Sequence, residues 1–493
     1  MRKSFEGSTV SAKVAYNVLW NVMGTFATLL VGLVALPVLL HAMGSARLGV
    51  FTLALGLIGF SGLLDMGLGR SLTQTISSAL GNGRPRIAVA ALVWYVLRLL
   101  AVFGVLWILL LWWIVPPVVH QLFRLKGELA IETVAGLRAV VLSMPFALVA
   151  TGALGALEGL QEFRRVSIQR TVLSVVQFGA PALVALWRSD LGWVTAALAA
   201  SRVLAVVVWL RLLRKALPKP AHHRHHREDL RHMLRFGGWL SVSNIIGPLM
   251  VYADRFYLAS LFPPAAVAYY TVPYDALFRL TSLPAMGMAA VFPALAEGQS
   301  KPGSSATLVL ASAEVIITFM LPPLLVASIF AKQLLTLWLG HSFAIPVLPI
   351  FQLMVVGIFV NSTAHVPYAL LQAFGRSDLT AKLHLLELPF FIGLLIWAVS
   401  NWGVYGAALA WTLRVVLDTG MLYGWAVFLQ HGQRTVLIQA LGLGVISSCV
   451  LLLPLFTYNL FVLAPVVICV LASCAIMLVR LYRKWRFSTP LIA

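Results

Sequence analysis

Fourteen consecutive runs of roughly 20 or more apolar residues fill this 493-residue chain, and no other feature limits its folding as much. A run of that length crosses the hydrocarbon core as a helix, because a helix satisfies its own backbone polar groups where there is no water. The runs lie at about 14–41, 48–70, 87–115, 134–158, 166–187, 191–213, 236–262, 266–292, 305–331, 344–371, 377–398, 403–430, 436–457 and 459–480. Transmembrane strands would read as short alternating segments, whereas these runs are long and continuous. Charged residues make up 11% of the chain against about 25% in a soluble protein. Mean hydropathy is +0.93, so the apolar residues are the body of the molecule and not an anchor on a soluble enzyme. The first run is longer than a signal-peptide core and reads as the first span. Cys449, Cys469 and Cys474 sit in apolar runs without framework spacing and read as small hydrophobes.

The net charge of +20 has two possible sources, nucleic-acid binding or the accumulation of Lys and Arg in cytoplasmic loops. Walking the spans from a cytoplasmic N-terminus places 24 basic residues inside, six outside (Arg47, Arg124, Lys126, Arg138, Arg188, Lys332) and six within spans. Such an asymmetry predicts both termini on the cytoplasmic side and no nucleic-acid partner.

The longest polar stretch, about 214–235, is basic and follows the sixth run, which makes it a linker between two sets of six spans. His222, His223, His225, His226 and His232 beside Glu228 and Asp229 could bind a metal, but their spacing fits no defined site, and a solvated linker facing anionic headgroups is the simpler reading. Asn21-x-x-Gly24 in run one is echoed by Asn244-x-x-Gly247 in run seven, and Gly49–Thr52 by Ala268–Thr271. With the equal span counts, these echoes predict duplication of a six-helix unit around an axis along the membrane normal, an arrangement found in transporters. The expected fold is therefore an all-α polytopic membrane protein of about 14 transmembrane helices: two pseudo-symmetric six-helix lobes, 1–213 and 236–430, around a central cavity, joined by the 214–235 linker. Two extra helices and a basic tail follow at 431–493. Pro37, Pro145, Pro181, Pro248, Pro273, Pro284, Pro322, Pro323, Pro367 and Pro389 are expected kink positions.

The run Asn21-x-x-Gly24, Leu36-Pro37, Gly44-x-x-x-x-Gly49 and Asp65-x-Gly67-Leu68-Gly69 resembles the opening of bacterial polysaccharide flippases. Ala253-Asp254-Arg255-Phe256, Tyr269-Tyr270 and Phe292-Pro293-Ala294-Leu295 are similar to the same family's region around spans seven and eight. Multidrug and toxic compound extrusion transporters and the lipid II flippase belong to the same superfamily. The resemblance implies a fourteen-helix exporter in the bacterial inner membrane that moves a lipid-linked oligosaccharide from the inner to the outer leaflet by alternating access. Membrane lipids, a polysaccharide polymerase and glycosyltransferases are the implied partners.

An ionisable side chain at mid-bilayer costs about 2.5–3.5 kcal/mol on insertion scales and normally faces a cavity or a partner. Asp275/Arg279 and Arg414/Asp418 are each four apart, and mutual neutralisation is one sufficient reason for these four. Arg98, Arg202 and Arg255 have no acid three or four residues away. Acids of other helices could pair with them, or they could meet the pyrophosphate of the carrier lipid, an anion that Arg recognises through paired hydrogen bonds. Arg98 and Arg202, with Arg255 across the cavity, are the leading pyrophosphate candidates, and Arg279 and Arg414 are further cavity candidates. Spans one to six carry Arg70, Arg98 and Arg202 against Asp65, while spans seven to twelve are net negative. Glu314, Glu387 and Asp418 are accordingly candidates for coupling to H+ or Na+.

Tyr252 and Tyr274 are candidates to contact sugar, whereas Tyr257, Tyr269 and Tyr270 near the outer end fit an interfacial belt better. A drug exporter of the same fold is the alternative function, and a membrane glycan ligase is a further one. The short external loops weigh against a ligase. No nucleotide-binding motif is present, so ATP is not expected as the direct energy source and no cofactor is expected.

Overall fold

The computed structural model describes residues 2–59, 68–81, 83–218, 249–297, 304–429, 434–457 and 459–487. The described residues are helical apart from short turns, with no strand among them. Among the described residues ten helices are long and apolar enough to cross a membrane, so the chain is a multi-pass membrane protein. The helices are α1 (Arg2–Gly59), α2 (Leu68–Gly81), α3 (Arg86–Pro117), α4 (Gly127–Leu142), α5 (Met144–Gly159), α6 (Phe163–Trp187) and α7 (Leu191–Ala216). A described stretch of helix at 249–261 is α8. They continue as α9 (Pro264–Phe278), α10 (Ser282–Glu297), α11 (Ser304–Ile329), α12 (Ala331–Leu339), α13 (His341–Ala373), α14 (Ser377–Leu429), α15 (Arg434–Phe456) and α16 (Leu460–Phe487).

Two of these helices are too long for one crossing. The 53 residues of α14 would rise about 80 Å, more than twice the roughly 30 Å hydrocarbon core. The break falls at Gly403 (φ 58°, ψ −137°), and in α1 at Gly44 (φ 79°, ψ 168°), both conformations open to glycine and costly for other residues. At Gly403 the chain turns back on itself: a Cβ on Gly406 would lie 2.0 Å from the carbonyl oxygen of Ala398. The predicted boundaries between runs one and two and between runs eleven and twelve thus coincide with glycine breaks. Span eight is interrupted by a 3-10 turn at Arg279–Thr281. Pro284 accounts for it, since its ring nitrogen offers no hydrogen to the carbonyl four residues earlier.

The chain forms two compact units, Met1–Ala268 and Tyr269–Ala493, so α8 belongs to the first. The linker at 219–235, its histidines, Asp65 and the Asn244–Gly247 echo lie outside the described residues, as does the side chain of Arg70.

In the first unit α5 packs against α2, α3 and α7. Its glycines permit this. A Cβ at Gly155 would meet the Gly69 carbonyl oxygen at 2.3 Å, and one at Gly159 the Thr73 carbonyl oxygen at 2.8 Å. Thr73 Oγ1 donates to the Gly155 carbonyl (2.9 Å) and Ser77 Oγ to the Gly159 carbonyl (3.3 Å), so α2 and α5 run parallel in constant register. In the second unit the buried helix is α13. Thr412, Thr419 and Tyr423 donate to the carbonyls of Leu353, Val360 and Thr363 at 3.4–3.5 Å, which makes the second arm of α14 parallel to α13. Spans two and four, and spans ten and twelve, thus run parallel to each other. Contacts within the first unit respect the same parity. Arg47 and Glu132, both placed on one side from sequence, form a two-bonded ion pair at 2.6 Å, and Arg170 pairs with Glu158 at the other end of the spans.

Candidate functional site

Two sets of ionisable side chains lie at membrane depth, one in each unit. The first is built by α1, α7 and α8. Gly56 and Gly59, on the second arm of α1, leave room for the α8 side chains: a Cβ at Gly59 would overlap the Tyr252 ring at 2.2 Å, and one at Gly56 would touch Tyr252 at 3.5 Å and Arg255 at 3.8 Å. The Arg255 guanidinium lies 5.0 Å from the centre of the Tyr252 ring, within cation–π range. Arg255 is almost wholly buried, and the adjacent Asp254, fully buried, accepts the Arg255 main-chain N–H at 2.7 Å. Arg202, on α7, lies within electrostatic reach of Tyr252. Its Nε is buried with no hydrogen-bond partner, and among the described residues it forms no ion pair. The structure therefore gathers Arg202, Arg255 and Tyr252, three of the residues singled out from sequence, in one unit.

The second set lies on the α14 hairpin. Folding about Gly403 sets Ala398 against Gly406 and Phe391 against Arg414, and brings Glu387 to Asp418, each pair centred on positions 402–403. Glu387, Arg414 and Asp418 are all more than nine-tenths buried. Ligand atoms of His384, Glu387 and Asp418 lie within 4.8 Å of one another. Arg414 Nε stands 3.4 Å from Glu387 Oε1, in ion-pair range without hydrogen-bond alignment, and His384 Nδ1 stands 3.4 Å from Glu387 Oε2. Sequence spacing pairs Arg414 with Asp418 on one helix. The structure gives Arg414 an ion pair with Glu387 on the other arm, because the hairpin brings that carboxylate within 3.4 Å of its Nε. Asp418 Oδ1 is buried without a hydrogen-bond partner. His384 was not among the sequence candidates, although its position three residues before Glu387 on one helix face was a usable signal.

The remaining candidates are dispersed. Arg98 stands exposed on α3 among exposed apolar side chains. Arg279 sits in the 3-10 turn, where its Nε donates to the Asp275 main-chain carbonyl at 3.2 Å. Glu314, on α11, is half-buried and outside the Glu387 cluster. Tyr274 is sealed in an aromatic column, stacked between Tyr270 (5.8 Å) and Phe278 (5.2 Å) with Trp411 edge-on at 5.2 Å, so both its ring faces are already covered by protein. Tyr252 keeps its place beside the arginines.

The sequence pattern of the family described as "Polysaccharide biosynthesis protein" matches residues 14–299, more than half of the chain, including α8 with Tyr252 and Arg255. The chain belongs to this family. Among relatives of this polysaccharide biosynthesis protein, a Shigella flexneri protein described as "Putative O-antigen transporter" is 28% identical over 410 residues, covering 82% of this chain and 96% of the relative. The fold matches that of the lipid II flippase MurJ in an inward closed conformation (TM-score 0.71, 13% identity, 95% of this chain and 99% of that one). It also matches an inward-facing multidrug resistance MATE family transporter of the MOP superfamily (TM-score 0.67, 14% identity, 85% and 99%). Both solved structures are of transport proteins, and what they share with this family member is the helical architecture.

Proposed function

We propose that this polysaccharide biosynthesis protein flips a polyprenyl pyrophosphate-linked oligosaccharide from the cytoplasmic to the outer leaflet of the bacterial inner membrane, by alternating access, with both termini cytoplasmic. The observation that carries the reading is Arg202. A guanidinium at membrane depth with a buried, unpartnered Nε needs an anion, and a pyrophosphate crossing hydrocarbon needs a cation. Arg255, over the Tyr252 ring, supplies a second cation in the same unit, and Tyr252 offers a ring for a sugar face. The name of the Shigella relative, an O-antigen transporter, agrees with such a cargo. Glu387 and Asp418 are the coupling site for H+ or Na+. Asp418 is the member left without a hydrogen bond, and the gain or loss of one cation there changes the charge of the hairpin.

The test is complementation of a strain whose surface polysaccharide depends on this protein. Wild type restores the polymer, and Arg202→Gln, present in the membrane at equal level, lowers it about tenfold or more, as expected for loss of a charge-assisted hydrogen bond. Full export by Arg202→Gln contradicts the reading. The MATE-like fold supports a second one, export of cationic drugs, with Asp418 as the acid that receives them. Rescue of drug sensitivity without any effect on polysaccharide would select it.

A further inference from the structure

Arg98 is not accounted for by helix packing or by the Arg202 group. Its helix, α3, leaves one face uncovered along its length: Tyr95, Arg98, Val102, Leu106, Leu109 and Trp113, three to four residues apart, are all exposed. Arg98 stands on this face, exposed, and among the described residues it takes part in no ion pair or hydrogen bond. In a membrane such a face meets lipid.

Two tryptophans mark how deep it lies. Trp94 and Trp112 are 18 residues apart on α3, about 27 Å along the axis, close to the roughly 30 Å of hydrocarbon. Each ring carries a guanidinium, Arg214 at 5.9 Å from Trp94 and Arg138 at 4.5 Å from Trp112, as expected of aromatic and cationic anchors at the two interfaces. Arg98 lies one turn, about 6 Å, inside the Trp94 edge. Helical side chains tilt toward the N-terminus and a long arginine snorkels, so the Arg98 stem runs back toward the level of Trp94 and Arg214. Arg214, Arg211 and Lys215 are exposed at the same end, on the last turns of α7.

We infer that Arg98 and Arg214, on either side of Trp94, bind the phosphate of an anionic glycerophospholipid from the leaflet at that end of α3, with the acyl chains lying along Val102–Leu109. Charge complementarity selects the headgroup, because two guanidinium groups at one interface are satisfied by a phosphate diester. The open face selects an ordinary phospholipid over the lipid-linked sugar. It offers a charge and a hydrocarbon stripe, and no second wall to hold a glycan. The inference rests on the membrane fold and is independent of the transport reading, since its test does not use export.

The protein is reconstituted in bilayers of equal phosphatidylglycerol and phosphatidylethanolamine, extracted, and the retained lipids are counted by native mass spectrometry. Wild type retains phosphatidylglycerol in preference, and raising salt weakens that preference. Arg98→Gln and Arg214→Gln, each checked for a monodisperse profile, lower phosphatidylglycerol retention about fivefold, and the double variant more than tenfold, while phosphatidylethanolamine is unchanged. Arg98→Lys keeps most of the retention. Equal retention of both lipids by wild type, a preference that salt does not touch, retention unchanged in the double variant, or displacement only by a polyprenyl pyrophosphate would each overturn the site.

Discussion

The Arg202 group and the Glu387 group both bury charge at membrane depth, yet they are balanced in opposite ways. On the α14 hairpin, Glu387 has Arg414 at 3.4 Å and His384 at 3.4 Å, so the folded chain supplies its own counter-charge. On α7, Arg202 has a tyrosine within electrostatic reach and a buried Nε without a hydrogen bond. A charge compensated within the fold is part of what holds the fold together. One left uncompensated costs free energy in the resting protein, and on the proposed reading the cargo offsets that cost during transport.

Substitutions separate the two cases, because stability and export should move independently. The largest stability effect is expected for Glu387→Ala, which strands the Arg414 guanidinium in a buried site. Breaking a buried pair in this way costs about 3–5 kcal/mol, visible as a lowered unfolding transition in detergent. Replacing both partners, Glu387→Leu with Arg414→Met, recovers most of that loss, because two apolar side chains leave no orphaned charge. Arg202→Met is expected to do the reverse. It leaves the unfolding transition unchanged or raised while export falls by the equivalent of about 1.5–3 kcal/mol. If Arg202→Met unfolds the protein instead, Arg202 is a structural residue and the comparison fails. Gly59→Ala tests the support of the arginine group. The new methyl collides with the Tyr252 ring, and overpacking of this kind costs about 1–3 kcal/mol, with export reduced because Tyr252 and Arg255 are displaced together. The smallest effect is expected for Arg47→Ala. Its partner Glu132 is buried but Arg47 itself is 30% exposed, so the loss is about 1 kcal/mol or less, diminishing as salt is added.

Much of the fold was legible because the bilayer enforces it. Apolar length fixes where a helix can cross, and Gly44 and Gly403 stand where two runs meet. The side-chain partners were less legible. Helical spacing offers Arg414 a same-helix acid in Asp418, but the ion pair with Glu387 crosses the Gly403 hairpin, and a contact across two arms is not encoded in the spacing of one. The stripe that Arg98 shares with Tyr95, Val102, Leu106, Leu109 and Trp113 was legible in the spacing of one helix, and only the structure shows that this face is uncovered. Tyr274 was legible as an aromatic but not as a buried one, although Tyr270 and Phe278 at four-residue spacing on the same helix face foretold the stack. Arg202 and Arg255 could be recognised as charges without an acid three or four residues away, and only the fold shows that Tyr252 lies near each of them.

The most direct test of the central claim is a flipping assay with purified protein in liposomes that carry a fluorescent polyprenyl pyrophosphate-linked oligosaccharide in the inner leaflet. Arrival of the sugar at the outer leaflet is read by a glycosidase or lectin outside. The account predicts protein-dependent arrival that falls about tenfold or more with Arg202→Gln and persists when cationic dyes are added. Liposomes in which the sugar stays inside, or in which Arg202→Gln flips as fast as wild type, would contradict it.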